Sequence, residues 1–303
     1  MAFPTDIATQ ADVDVFQPDI WGAKVNDFLK KKLVMGSFFT NRSSEVADGG
    51  RDLFTPGLTE MSATSKTNGA AVTLSSPTET KKTLTISNWY ETSFVIEDAE
   101  AAQVKRSYTL LERYAKNAAY TMAKTVDTAI ATLFSGFSNV VGTSTSVVVD
   151  SNIRKALGIL EGGNVDIDEV GMFFDSKVFW NQVMGLTNFT LAANAAIDGY
   201  SPLNGLKMEG RIYGVPVYRS NNIQYVASTT GRNNAIAHPD AIHFATSPLG
   251  AGGSKGASTG SMGVRVQSNY VPEYLGTLVT ADVLYGVVEN RDEAGVLFRT
   301  SAS

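Results

Sequence analysis

Cysteine is absent from the 303 residues, and histidine occurs only twice. The first absence excludes disulfides, thiol catalysis and Cys-ligated metals together, and it suits synthesis in a reducing cytoplasm. The second leaves His238 and His243 as the only imidazoles for acid–base or metal chemistry. Five residues apart in a strand-turn-strand setting, they share no face and read as one turn histidine and one half-buried strand histidine. No run approaches the roughly 20 apolar residues of a membrane span, so no membrane role is expected. Met1 to Gln10 also lacks the basic segment and apolar core of a secretory signal. Strong charge of either sign is missing as well. A net charge of −5 argues against a basic face that grips nucleic acid phosphate by phosphate. With 43% hydrophobic and 18% charged residues, the chain reads as an ordinary folded protein of one large domain or two to three smaller ones.

Catalytic motifs are equally scarce. Gly256-Ala257-Ser258-Thr259-Gly260 matches a nucleophile elbow in letters, but it lies in a Gly/Ser loop with both histidines before it, so it is rejected. Gly252-Gly253-Ser254-Lys255-Gly256 lacks the Gly-Lys-Ser/Thr ending of a phosphate loop. Asp166-Ile167-Asp168-Glu169 begins like a calcium loop but lacks its later ligands, and reads as a solvated turn. Neither catalytic residues nor a cofactor or metal site are assigned.

What the chain does have is shape. From Asp98 to about Phe134, apolar and small residues recur in steps of three and four at Val104, Tyr108, Leu111, Ala115, Ala118, Met122, Val126, Ala129 and Leu133. No Pro or Gly interrupts, Asp98 can cap the start and Gly136 supplies the stop. Such a helix spans roughly 55 Å, long for a domain of this size. Before it, Met1 to Val15 reads as a polar arm. Phe16-Gln17-Pro18-Asp19-Ile20-Trp21 introduces a short amphipathic helix with Trp21 and Phe28 on its apolar face. Arg51–Leu58 and Thr83–Ile96 read as strands around a polar Ser/Thr-rich stretch, together a long hairpin that has too little apolar content to stand alone. After the helix come a short strand at Val147–Val149, a helix capped by Ser151, a buried strand at Val170–Phe174 and a helix with Val178, Phe179 and Trp180. Then follow a hairpin around Gly214-Val215-Pro216, two strands broken at His238-Pro239-Asp240, a Gly/Ser loop at 248–263, and strands at Val264–Asn269, Thr277–Glu289 and Gly295–Phe298. The interleaving favours an α+β fold.

That order resembles the major capsid protein of tailed double-stranded DNA bacteriophages. The likeness rests on Phe16-Gln17-Pro18-Asp19-Ile20-Trp21, the 97–134 helix, Gly214-Val215-Pro216-Val217-Tyr218, His238-Pro239-Asp240-Ala241-Ile242, and Leu284-Tyr285-Gly286-Val287 with Glu293-Ala294-Gly295-Val296. It implies an amino-terminal arm at 1–35, an extended hairpin loop at 36–95, a peripheral domain with the spine helix at 96–139 and 263–290, and an α+β axial domain at 140–262 and 291–303. The implied role is a structural, non-enzymatic shell protein of the virion, made in the host cytoplasm, that self-assembles into hexamers and pentamers around double-stranded DNA. Implied partners are other copies of the chain, a separate scaffolding protein and a portal, with a decoration protein possible. DNA contact would be non-specific, and mild acidity would let packaged DNA slide. An encapsulin-type compartment shell carries the same resemblance, and an enzyme whose site is invisible in sequence is the other alternative. Trp21, Phe28, Arg51, Lys81 and Lys82 are the expected assembly contacts.

Overall fold

The structure, a computed structural model, describes residues 33–47, 49–58, 61–72, 74, 79–99, 110–186, 210–227, 230–247, 249, 258–259 and 263–302. The expected arm and its helix, residues 100–109 of the helix expected over 98–134, and most of the 248–263 loop lie outside them. A single helical turn, Met35–Phe38, precedes β1 (Thr40–Asn41). There follow β2 (Asp52–Leu58), β3 (Glu79–Thr85), β4 (Asn88–Glu97), the long helix α1 (Leu110–Thr132) and β5 (Asn139–Val141). Next come α2 (Asp150–Gly162), β6 (Gly171–Asp175), α3 (Ser176–Asn181), β7 (Gly210–Ile212), β8 (Val215–Ser220) and β9 (Arg232–Ala237). The last elements are β10 (Ile242–Ser247), β11 (Ser258–Thr259), β12 (Arg265–Val271), β13 (Gly276–Glu289) and β14 (Gly295–Thr300).

Two six-stranded sheets and one two-stranded ribbon result. The first sheet is built on β13, which is 14 residues long. Along one side it pairs in succession with β12 (through residues 276–282) and β10 (through 284–289), and along the other with β4 (through 276–285). The second sheet has the order β5-β14-β9-β6-β8-β7. Its β7–β8 hairpin turns on Tyr213 and Gly214, with φ of 52° and 82°, the pair of positive values that a tight two-residue turn matched to strand twist requires.

Besides α1, which leads from β4 of the first sheet to β5 of the second, the chain passes between the sheets twice more, at His238–Ala241 after β9 and at Asn290–Ala294 after β13. The crossings are bonded together: Asn290 N and Arg291 N donate to Ala241 O, and His238 N donates to Ala294 O. β10, which lies within the stretch 140–262, pairs with β13 in the first sheet.

One core lies between α1 and the first sheet and reaches Phe173 and Leu297 of the second; another fills the space around α2, α3 and the second sheet. The α1 seam runs through Ala118, Met122, Val126, Ile130 and Phe134, with Ala123, Asp127 and Ala131 beside it. Ala129 and Leu133, expected on the seam, are half-buried. The helix tightens into a 3-10 turn at Leu133–Gly136, and its described part spans about 35 Å at the usual rise. Helical backbone already begins at Asp98, whose carboxylate accepts from Tyr270 Oη at 2.8 Å.

Three other expectations need correcting. The 83–96 strand is two strands: β3 pairs with β2, whereas β4 leaves the hairpin and joins β13. No Gly or Pro marks the break at Ile86–Ser87, so only the pairing reveals it. Val147–Val149 forms no strand; Val148 N donates instead to the buried Gln182 Oε1, and Asn139–Val141 takes the sheet edge. Ser151 does not cap α2, since Val149 occupies the cap position and no side chain bonds there.

Candidate assembly surfaces

The β2–β3 ribbon carries seven residues per strand in register from Asp52↔Thr85 to Leu58↔Glu79. Alternation divides its side chains between two faces. One face holds Leu53 and Leu84, which at the root join Val46, Ile86 and Ala245 in a small core with Leu284 and Val288. The opposite face holds Phe54, Pro56 and Leu58, and it points away from the body: Phe54 is 53% and Leu58 79% exposed. Beyond the strands Met61, Val72 and Leu74 are exposed too. An alternating apolar row normally marks a buried face. Here its cover must come from outside the described residues.

The root is tightly held. Arg42 donates to Glu45 through Nε (2.6 Å) and Nη2 (2.5 Å), and its Nη1 reaches Thr55 Oγ1. Thr85 Oγ1 donates to Asp52 Oδ1 at 2.7 Å, and Ile86 N donates to Arg51 O at 2.8 Å. On β13 beneath, a Cβ at Gly286 would stand 2.3 Å from Thr85 O. Only glycine lets the ribbon root cross so closely.

Of the five expected contact residues, Arg51, Lys81 and Lys82 are among the described residues. Trp21 and Phe28 lie outside the described residues. Arg51 is exposed just before β2, while Lys81 and Lys82 project to opposite faces of β3. Lys81 Nζ sits 4.5 Å from the Phe54 ring centroid, a cation–π contact within the ribbon. Lys82 lies near Glu289, which burial and Asp292 raise above the ordinary carboxylate range while Lys82 draws it down. Charge drew attention to the lysines; the apolar row beside them was readable from Phe54, Pro56 and Leu58 at two-residue spacing.

A second feature anchors the Val34–Gly36 segment on α1. Asp127, fully buried on α1, accepts from the backbone N–H groups of Val34 (3.0 Å), Met35 (2.7 Å) and Gly36 (3.3 Å) through Oδ1, and from Asn222 Nδ2 (2.7 Å) through Oδ2. Burial pushes this carboxyl up from its ordinary range, against the four donated bonds. The carboxylate stands where it caps the Met35–Phe38 turn. Nothing in the periodicity of α1 flagged it, because an acid on the apolar seam breaks the pattern.

Near the root, a groove of about 580 Å³ runs between α1 and the β4–β13 pair. Thr121, Thr125 and Thr132 line it, but their hydroxyls donate to the carbonyls of Asn117, Thr121 and Thr128. The hydroxyls being satisfied within the helix, the helical wall of the groove is less polar than its composition suggests. Opposite stand the stacked rings of Tyr90 and Tyr285, and burial, with Tyr90 nearby, pushes the Tyr285 hydroxyl up to about 12. Behind the same sheet Arg265 forks onto Asp282 (2.9 and 2.6 Å), which also accepts from Trp89 Nε1 at 3.1 Å.

Among the described residues no group of three His, Asp or Glu side chains is placed to hold a metal ion, and no helix is long and apolar enough to cross a membrane. No family model matches the sequence, and no curated protein does. Solved structures do. A structure of Mycobacterium phage Che8 matches at TM-score 0.70 and 18% identity, over 93% of this chain and 97% of that one. The capsid structure of cyanophage P-SCSP1u matches at TM-score 0.69 and 13% identity, over 96% and 95%. The mature capsid of bacteriophage PhiM1 matches at TM-score 0.65 and 14% identity, over 93% and 92%. The chain has the fold of phage capsid proteins. The likeness covers nearly all of each chain. It agrees with the α+β class and the resemblance read from the sequence.

Proposed function

We propose that this chain is the major shell subunit of a tailed-phage head, assembling with copies of itself into hexamers and pentamers that enclose double-stranded DNA. The observation that carries the reading is the apolar row of Phe54, Pro56 and Leu58, turned away from its own body on a chain with the capsid fold. Head-to-tail contacts that close into rings need a projecting element on each copy and a seat on the next. The ribbon is the projecting element. Residues 1–35 form the arm, the first sheet with α1 the peripheral domain and the second sheet the axial domain. Arg51, Lys81 and Lys82 are the charged contacts of the ribbon, Lys81 beside the apolar row and Lys82 on the other face, where exposed ion pairs add little energy. The role requires no catalytic centre. A scaffolding protein and a portal complete the head, DNA contact is non-specific, and a decoration protein is a further candidate partner.

Negative-stain microscopy and a sizing column on the expressed full chain test this. Closed shells in the void volume are the expected result, and a lone monomer at high concentration overturns it. Deleting residues 59–82 is expected to leave a folded, soluble subunit that forms no shells. A copurifying portal and DNA separate a phage head from a cargo-filled compartment.

A further inference from the structure

Both histidines of the chain lie where it leaves one sheet for the other. His238 opens the crossing after β9: its Nδ1 accepts from Asp240 N (3.2 Å) and its Nε2 stands 2.9 Å from Glu169 Oε2. His243, in β10 between Thr40 of β1 and Val288 of β13, is only 7% exposed. Its Nδ1 is buried without a hydrogen-bond partner. Its Nε2 lies 3.3 Å from Asn290 Nδ2 and 3.7 Å from Asp240 Oδ1. Asn290 opens the return crossing, and the same Nδ2 donates to Asp240 O at 3.2 Å. One amide therefore joins His243 to both passages.

With Asn290 Nδ2 donating, this arrangement favours a neutral imidazole, while Asp240 Oδ1 at 3.7 Å is the group that can pair with the cation. Asn290 Nδ2 is a donor, so Nε2 must offer its lone pair. Protonation puts a hydrogen on Nε2 and sets donor against donor. The nearest carboxylate is Asp240, whose Oδ1 already accepts from Thr40 Oγ1 at 2.9 Å. Of the other charged groups facing His243, Arg42 repels the cation, and Glu45 is held by Arg42. Burial holds His243 below its ordinary value, with Asp240 opposing. Burial alone would raise Asp240, but the Thr40 hydroxyl, both histidines and Arg291 bring it below its own ordinary value.

We propose that His243, Asn290 and Asp240 form a proton-operated latch on the paired crossings. With the imidazole neutral, Asn290 bridges the two passages and Thr40 stays bonded to Asp240. When it is protonated, Asn290 is expelled and Asp240 turns to the imidazolium, releasing Thr40. Thr40 leads directly into the Arg42–Val46 turn that seats the ribbon root. Acidification thus loosens the sheet-to-sheet passage and the base of the projecting ribbon together.

The test uses the full chain with labelled histidine. Its two imidazoles give two titration curves, assigned with His238→Gln. His243 is expected to titrate below the free value of 6.5. Amide exchange in segments 238–246 and 286–294, corrected for intrinsic rate, is expected to quicken about tenfold between pH 7 and pH 5. His243→Gln should abolish that dependence and His238→Gln should keep it. Should His243→Gln not fold, Asn290→Ala serves: in segment 286–294, exchange already fast at pH 7 and insensitive to acid supports the latch. A His243 value at or above the free one, an unchanged wild type, or the same pH dependence in either latch variant overturns the proposal.

Discussion

Truncating the outward row of the ribbon should separate assembly from stability. In Phe54→Ala/Leu58→Ala the side chains removed are 53% and 79% exposed in the lone subunit. Fully covering a Phe or Leu side chain contributes about 1.5–3 kcal/mol. Covering only the open fractions in a neighbour's seat therefore gives about 3 kcal/mol per contact for the pair. That corresponds to roughly a hundredfold in the concentration at which subunits associate. Ordering of the ribbon reduces the gain, so the estimate is an upper one. The subunit itself should lose little, about 0.5–1 kcal/mol, chiefly the contact of Lys81 with the Phe54 ring. Light scattering across a dilution series reads the first quantity and urea unfolding of dissociated subunits the second. Shells forming at the wild-type concentration would refute the argument. So would a subunit destabilised as much as by a core truncation, which would mean the row packs on its own body.

Four further outcomes follow from the packing. Asp127→Ala leaves three backbone donors and Asn222 without their acceptor and should cost about 3–5 kcal/mol, read from urea unfolding. Gly286→Ala pushes a Cβ into the Thr85 carbonyl and should cost about 1–3 kcal/mol, with proteolytic cutting rising near Arg51 and Lys82. Asp282→Ala removes the carboxylate that Arg265 forks onto and the acceptor of the Trp89 indole, so the melting temperature should fall. For His243 the folded value lies below the unfolded one, so the neutral form favours the fold. That contribution is complete above the ordinary histidine range and is lost as pH falls through the lowered value, so a His243→Gln melting profile should be flatter than wild type between about pH 5 and 7.

Local punctuation was readable in the sequence. Gly214 turned a hairpin, His238-Pro239-Asp240 ended a strand, and the alternation of 277–289 foretold β13, because each depends on a few neighbouring residues. Pairing was not readable. Thr83–Ile96 alternates without a break, yet Leu84 belongs to the ribbon and Phe94 to the β13 sheet. The difference lies in partners far along the chain. Asp127 escaped notice because periodicity searches for apolar residues, whereas this acid is buried to satisfy a distant backbone turn. Spacing alone puts the two histidines on no common face of one element. Folding brings both beside Asp240 through a turn that spacing alone cannot describe. On the ribbon the lysines attracted attention, while the alternating Phe54, Pro56 and Leu58 carried the information about a missing cover.

The placement of β13 has a consequence for synthesis. Glu97 waits for Gly276, and Asn88 for Tyr285. At the usual pace of translation, about 5–20 residues per second, β4 emerges from the ribosome some 10–40 s before its partner exists. During that interval Trp89, Phe94 and Ile96 sit on an unpaired edge in a crowded polysome, beside nascent chains with the same edge. Yield in the cell should therefore respond to chaperone supply and to translation speed downstream of β4, even for variants whose finished subunits are equally stable.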